Sequence, residues 1–235
     1  MRTEILKNRE IWGDEFKAKK EEERPVYEPV LDLITSIIER NSYTKILDYG
    51  CGDGRFGFYF KKKAKSRQLA GADIGKEALR LCSGIYDELY LTDGLTLPDQ
   101  RFDFIILNSV LEHIPLDLWD SFFKEINKKL SKEGAIFIVI PNKYGLMHKF
   151  TDTWKDEKEK WGHCSVVDIK FLKNKLRAFG FKNLKLSFLF KVDKLPDYIK
   201  CPGAFRKIIM VPLSIVNLYP FYYLRDSFWI LAKRT

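Results

Sequence analysis

The stretch Lys45-Ile46-Leu47-Asp48-Tyr49-Gly50-Cys51-Gly52-Asp53-Gly54-Arg55-Phe56-Gly57 restricts the choice of fold more than any other part of the chain. An apolar pair runs into an acid, glycines then alternate, and a helix-compatible segment follows. A buried parallel strand that turns sharply into a helix reads this way. Glycines in such a turn let a ligand come close to main-chain atoms, so the stretch is read as a cofactor loop.

Charge narrows the cofactor. Gly52 to Gly57 also satisfies G-x-G-x-x-G, a pattern that any Gly-rich strand-to-helix turn can produce. A pyrophosphate on a helix N-terminus disfavours nearby anions, yet Asp48 ends the strand and Asp53 lies in the turn, with Arg55 acting in the opposite sense. No Gly-Lys-Ser/Thr follows, which excludes a P-loop. A cationic cofactor without phosphate suits two carboxylates better. A second short strand, Gln68 to Ile74, carries Asp73 about 20 residues beyond the glycines, the spacing at which an acid meets vicinal ribose hydroxyls. That spacing serves an adenosyl or a dinucleotide cofactor alike.

Later segments extend the pattern. Tyr86 to Leu91 reads as a third strand followed by Thr92-Asp93-Gly94-Leu95, and Arg101 to Asn108 as a fourth, followed by Ser109-Val110-Leu111-Glu112-His113-Ile114-Pro115. Gly162-His163, Leu176 and Gly180-Phe181 come further on. Together these resemble the class I S-adenosylmethionine-dependent methyltransferases, in their small-molecule (type 11/23, ubiquinone-biosynthesis-like) branch, from about residue 44 to residue 181. The resemblance implies S-adenosyl-L-methionine as cofactor, with S-adenosyl-L-homocysteine as product. It implies a binding set of Asp48, Gly50, Cys51, Gly52, Gly54, Asp73, Ile74, Asp93, Gly94, Leu95, Asn108 and Ser109, in which Asp93 takes the adenine amino group and the Glu112-His113 loop adjoins the methionine end. Nucleic-acid amino methyltransferases carry Asn/Asp-Pro-Pro-Tyr/Phe where this chain has Asn108-Ser109-Val110-Leu111, which argues against a base-amine substrate.

The expected fold is α/β: a Rossmann-like, doubly wound, mostly parallel sheet of about seven strands, the last antiparallel, with helices on both faces. Residues 1–43 are read as an N-terminal helical lid or cap, with Trp12 and Phe16 on one helical face and Val30, Leu33, Ile34, Ile37 and Ile38 as a stripe against the sheet. Residues 44–235 form the methyltransferase domain. Gly134 to Ile140 is the fifth strand, 165–180 a helix with Phe171, Leu172, Leu176 and Phe179 inward, and Leu184–Phe190 and Phe228–Lys233 the last strands. The long connection 143–164 carries His148, Trp154, Trp161 and His163, as rings lining a pocket or fastening a surface excursion. Segment 191–226, basic and then aromatic-rich and apolar, is broken by Pro212 and Pro220; it reads as an interfacial element, a lid over a greasy substrate or a subdomain on the protein's own core.

A net charge of +9 suggests attraction to something anionic, or a lysine-rich solvated face. Cys51, Cys82, Cys164 and Cys201 form no C-x-x-C pair, so neither a metal site nor a disulfide scaffold is expected. The charged N-terminus lacks an apolar signal core, giving a cytoplasmic expectation with peripheral membrane contact through 191–226. The functional expectation is methyl transfer, with O-methylation favoured, to a small-molecule or lipid-like acceptor and no specific nucleic acid as partner. His163 and His113 are the candidate proton acceptors, His163 the better one. The rivals are an NAD-linked oxidoreductase and a catalytically silent cofactor-binding module.

Overall fold

The computed structural model describes residues 28–64, 67–145, 162–188 and 227–234. The elements run α1 (Glu28–Arg40), β1 (Lys45–Tyr49), α2 (Arg55–Lys63), β2 (Gln68–Asp73), α3 (Lys76–Leu81), β3 (Glu88–Leu91) and β4 (Phe102–Asn108). After two 3-10 turns (Leu111–His113 and Leu116–Leu118) come α4 (Trp119–Lys129), β5 (Leu130–Pro141), α5 (Ile169–Ala178), β6 (Phe181–Phe188) and β7 (Ser227–Arg234). One seven-stranded sheet has the order β3-β2-β1-β4-β5-β7-β6. The first five strands are parallel, and β7 runs antiparallel between β5 and β6.

The apolar strands are continuous because both faces are covered. In β5, Ile136, Ile138 and Ile140 pack into a core with Phe122, Phe123 and Ile126 of α4 and Leu172 and Leu176 of α5. The alternate residues Ala135, Phe137 and Val139 join Val30, Ile34 and Ile38 of α1 and Phe56 and Phe60 of α2 on the other side. The period of two along a strand thus divides one apolar run between two cores. Helix α1 is held by its stripe against the sheet, with Ile34 and Ile38 fully buried and Leu33 half-buried. Asp168 caps α5 by accepting from Phe171 N at 2.8 Å, and Gly180, at φ +80°, follows its end.

Several boundaries differ from the sequence expectation. Strand β5 begins at Leu130, straight off α4, because Leu130 pairs with Phe102 before a register shift, with Glu133 at φ +64° taking up the turn. Strand β6 begins at Phe181, three residues early, through a similar irregularity at Asn183 (φ +52°). Strand β3 begins at Glu88, since Tyr86 turns into the core. Phe171, expected inward, is 37% exposed, with its ring edge toward Trp119 and the Lys175 ammonium over it. Phe58 likewise faces out under Lys62 Nζ. Trp12, Phe16, His148, Trp154, Trp161, Cys201 and the segment 191–226 lie outside the described residues. Among the described residues no helix is long and apolar enough to cross a membrane.

The chain passes from β1 outward to β2 and β3, then returns to lay β4 on β1's other side. That reversal opens a crevice at the carboxyl edge, where sheets of this kind take ligands.

Candidate active site

The glycine turn closes the top of β1. Gly50 N and Cys51 N both donate to Ala72 O of β2, at 2.7 and 3.1 Å, and Gly54 N donates to Cys51 O at 3.0 Å. Gly50 is at φ +79°, and a Cβ there would stand 2.6 Å from Val110 Cγ2, so neither backbone nor space accepts a side chain.

Two acids support the turn differently. Asp73, at the end of β2, accepts from Gly52 N at 2.9 Å through one oxygen and from Gly75 N at 2.8 Å through the other. Burial pushes its carboxyl up while these backbone bonds oppose the shift. Asp48 lies below the loop, where Tyr86 Oη donates to it at 2.6 Å while accepting from Gly57 N at 3.2 Å. Burial, with Asp73 and Asp53 nearby, raises Asp48 to about 7 against the Tyr86 hydrogen bond. Gly57 makes room for that tyrosine, because a Cβ there would come within 2.6 Å of the ring. The thiols of Cys51 and Cys82 lie 3.7 Å apart beneath the turn.

Arg55, the one cation in the loop, is bonded to Asp53 at 2.9 Å. Its charge is therefore offset inside the loop. Asp93, past β3, is exposed and folds an Asx turn: Leu95 N and Thr96 N donate to one oxygen at 2.9 and 2.7 Å, and Thr96 Oγ1 to the other at 3.0 Å. Partial burial pushes its carboxyl up, but the hydrogen bonds outweigh this and hold it below the usual value. Gly94 is at φ +89°. Asn108 ends β4, and Ser109, exposed at φ +58°, donates its N–H to Val139 O at 3.1 Å. Ile74 is half-buried just beyond β2.

Past Ser109 the fold brings together residues far apart in the chain. Cys164 N and Ser165 N both donate to Glu112 O, at 2.8 and 3.0 Å, and Ser165 Oγ donates to Ile114 O at 2.6 Å. A bridge between Asn142 and Val167 fastens the same segment to the end of β5. These contacts set the His163 ring edge-on to His113, with centroids 4.9 Å apart. Burial, with His163 beside it, lowers His113 to about 3 despite a hydrogen bond to the Gly162 backbone, so the imidazole is neutral. Glu112 is buried next to both rings. Sequence reading missed Tyr86, Ser165 and Asn142. Tyr86 looked like strand, and nothing local to Ser165 or Asn142 signals a clamp.

The site fits an adenosyl sulfonium compound: a glycine turn that cannot take a Cβ at Gly50, acids at the end of β2 and past β3, and a loop cation already paired. A family model described as a methyltransferase domain matches residues 18–186. The chain belongs to the class I S-adenosylmethionine-dependent methyltransferases. S-adenosylmethionine is the cofactor of this family. The methyltransferase is 25% identical to the uncharacterized protein MJ1123 of Methanocaldococcus jannaschii over 188 residues, 78% of this chain and 86% of that protein. It is 32% identical over 110 residues to ribosomal RNA small subunit methyltransferase C of Shewanella loihica, a match spanning 43% of this chain and only 32% of that protein. Its fold is similar to that of a SAM-dependent methyltransferase from Archaeoglobus fulgidus, with TM-score 0.61 and 20% identity, covering 87% of this chain and 94% of that one.

Proposed function

We propose that this methyltransferase moves the methyl group of S-adenosylmethionine onto an oxygen of a small-molecule or lipid-like acceptor. The observation that carries the reading is Asp73, locked on the amides of Gly52 and Gly75 beside the turn that Gly50 opens, with Arg55 offset by Asp53. A carboxylate so fixed can meet ribose hydroxyls without rearrangement. Gly50, Cys51, Gly52 and Gly54 then pass along the cofactor, Asp48 and Tyr86 hold the turn from beneath, and Ile74, Asp93, Gly94 and Leu95 frame the adenine. Asn108 and Ser109 face the methionine end. An NAD-linked reading is disfavoured by the carboxyl groups of Asp48 and Asp53 in and beside the turn, where a pyrophosphate would lie, and by Arg55 being taken up by Asp53.

S-adenosylmethionine supplies a sulfonium methyl whose transfer leaves a neutral thioether, so no acid is needed for the leaving group. The protein's part is alignment of the acceptor and exclusion of water. The acceptor's proton leaves at the His113–His163 pair, with His163 on the segment that Glu112 O fastens through Cys164 N and Ser165 N. Asn108-Ser109-Val110-Leu111 lacks the Pro-Pro pair expected for base-amine chemistry, which favours a small molecule over nucleic acid. A lipid-like acceptor, and peripheral contact of a cytoplasmic protein with a membrane, are supported by the basic and aromatic composition of 191–226. Strand β6 ends and β7 begins at the carboxyl edge of the sheet, the edge that also bears the crevice.

Calorimetry with S-adenosylhomocysteine and with NAD tests the reading: the former binds at one site per chain and the latter does not. His163→Ala is expected to keep S-adenosylhomocysteine affinity and to lose about 100-fold or more in methyl transfer. Full turnover in that variant removes His163 from the chemistry.

A further inference from the structure

The sequence gives no ligand spacing for a metal, but the fold assembles one carboxylate and two imidazoles. Ligand atoms of Glu112, His113 and His163 all lie within 4.8 Å of one another. Glu112 and His113 come from the turn after β4, and His163 from a segment some fifty residues later, so no motif scan would join them. We propose that Glu112, His113 and His163 bind a first-row divalent cation at the acceptor side of the crevice.

Three observations support this. Glu112 is 1% exposed, and a carboxylate in such a place calls for positive charge or several donors. The two segments are joined through backbone: Glu112 O takes Cys164 N and Ser165 N, and Ile114 O takes Ser165 Oγ and Trp119 Nε1. His163 is therefore placed before any ligand arrives, which lowers the ordering cost of binding. The cluster also follows Ser109 in the turn just past the end of β4, at the carboxyl edge of the sheet where the crevice lies. Two imidazoles and one carboxylate suit zinc, iron, manganese, cobalt or nickel. Magnesium and calcium take oxygen ligands and fit less well.

Three protein ligands leave positions open, and the inference deepens the proposed function by giving one of them to the acceptor hydroxyl. A cation lowers the pKa of an oxygen bound to it, so the hydroxyl proton passes to solvent. The oxygen's electron pair then forms the new bond to the methyl carbon, and the carbon–sulfur pair stays on sulfur. The products are the methyl ether or ester, neutral S-adenosylhomocysteine and one proton. No oxidant or reductant is required, and the histidines handle the acceptor's proton by holding the ion.

The test uses the full chain, stripped with a chelator, dialysed and titrated with cobalt(II), with uptake read as visible ligand-field bands and as metal per chain by mass spectrometry. S-adenosylhomocysteine calorimetry on the same preparation reports folding and the cofactor site separately. One cobalt per chain is expected, weakened more than about tenfold in both His113→Gln and His163→Gln while S-adenosylhomocysteine binding persists. If a chain that binds S-adenosylhomocysteine takes up no stoichiometric cobalt or zinc, the cluster is a hydrogen-bonded trio and the proposal falls. It also falls if uptake is unchanged in both variants. Metal uptake without S-adenosylhomocysteine binding would retain the cation site and overturn the proposed function instead.

Discussion

Asp48 is a carboxyl whose environment sets its ionisation apart from its neighbours. Its folded pKa of about 7 lies above the ordinary 3.8, so its contribution to stability is complete below 3.8 and is lost as pH rises to about 7. The thermal midpoint is expected to fall between those limits, and Asp48→Asn should flatten that decline in a calorimetric pH series. An unchanged slope would mean that Tyr86 and the surrounding backbone keep the carboxylate ionised. Gly50 gives a second residue-level prediction. Gly50→Ala places a Cβ at positive φ against Val110, costing about 1–2 kcal/mol in denaturant unfolding from the backbone alone, and weakens S-adenosylhomocysteine binding further. The turn was legible in the sequence because glycine is a local necessity there. The role of Tyr86 was not, since a tyrosine that leaves a strand to hydrogen-bond an acid below looks like any aromatic in a strand.

At the level of elements, β4 and β5 announced themselves through near-continuous apolar runs, β1 and β2 through the glycine turn and acid that follow them, and α1 through its spacing. What escaped were places where pairing starts irregularly: Leu130 joins β5 by a bulge opposite Phe102–Phe104, and Phe181 joins β6 by another at Asn183. Bulges depend on the partner strand, so one strand's residues do not disclose them. The joining of the Glu112 turn to the His163 segment is equally non-local. Ser165→Ala should remove the hydroxyl that Ile114 O accepts, costing about 1 kcal/mol, since Trp119 Nε1 still bonds that carbonyl. Hydrogen exchange at Cys164 N and Ser165 N should then quicken relative to β4. Unaltered exchange would mean that the backbone bonds alone hold the two segments.

Across the whole molecule, the net charge of +9 and the basic, aromatic-rich composition of 191–226 bear on where the protein works. Sedimentation with anionic vesicles is expected at low salt and should be reversed at about 1 M salt, where charges are screened within about 3 Å. A protein that stays in the supernatant at low salt has a lysine-rich surface with no membrane role. The order of the strands also constrains synthesis. Among the described residues β6 pairs with β7 alone, and β7 is separated from it by residues 189–226. On the ribosome, β6 therefore waits as an unzipped ribbon until the stretch beginning at Ser227 has emerged. A premature stop before that point would strip two strands from the sheet, leaving β5 as a bare edge open to intermolecular pairing.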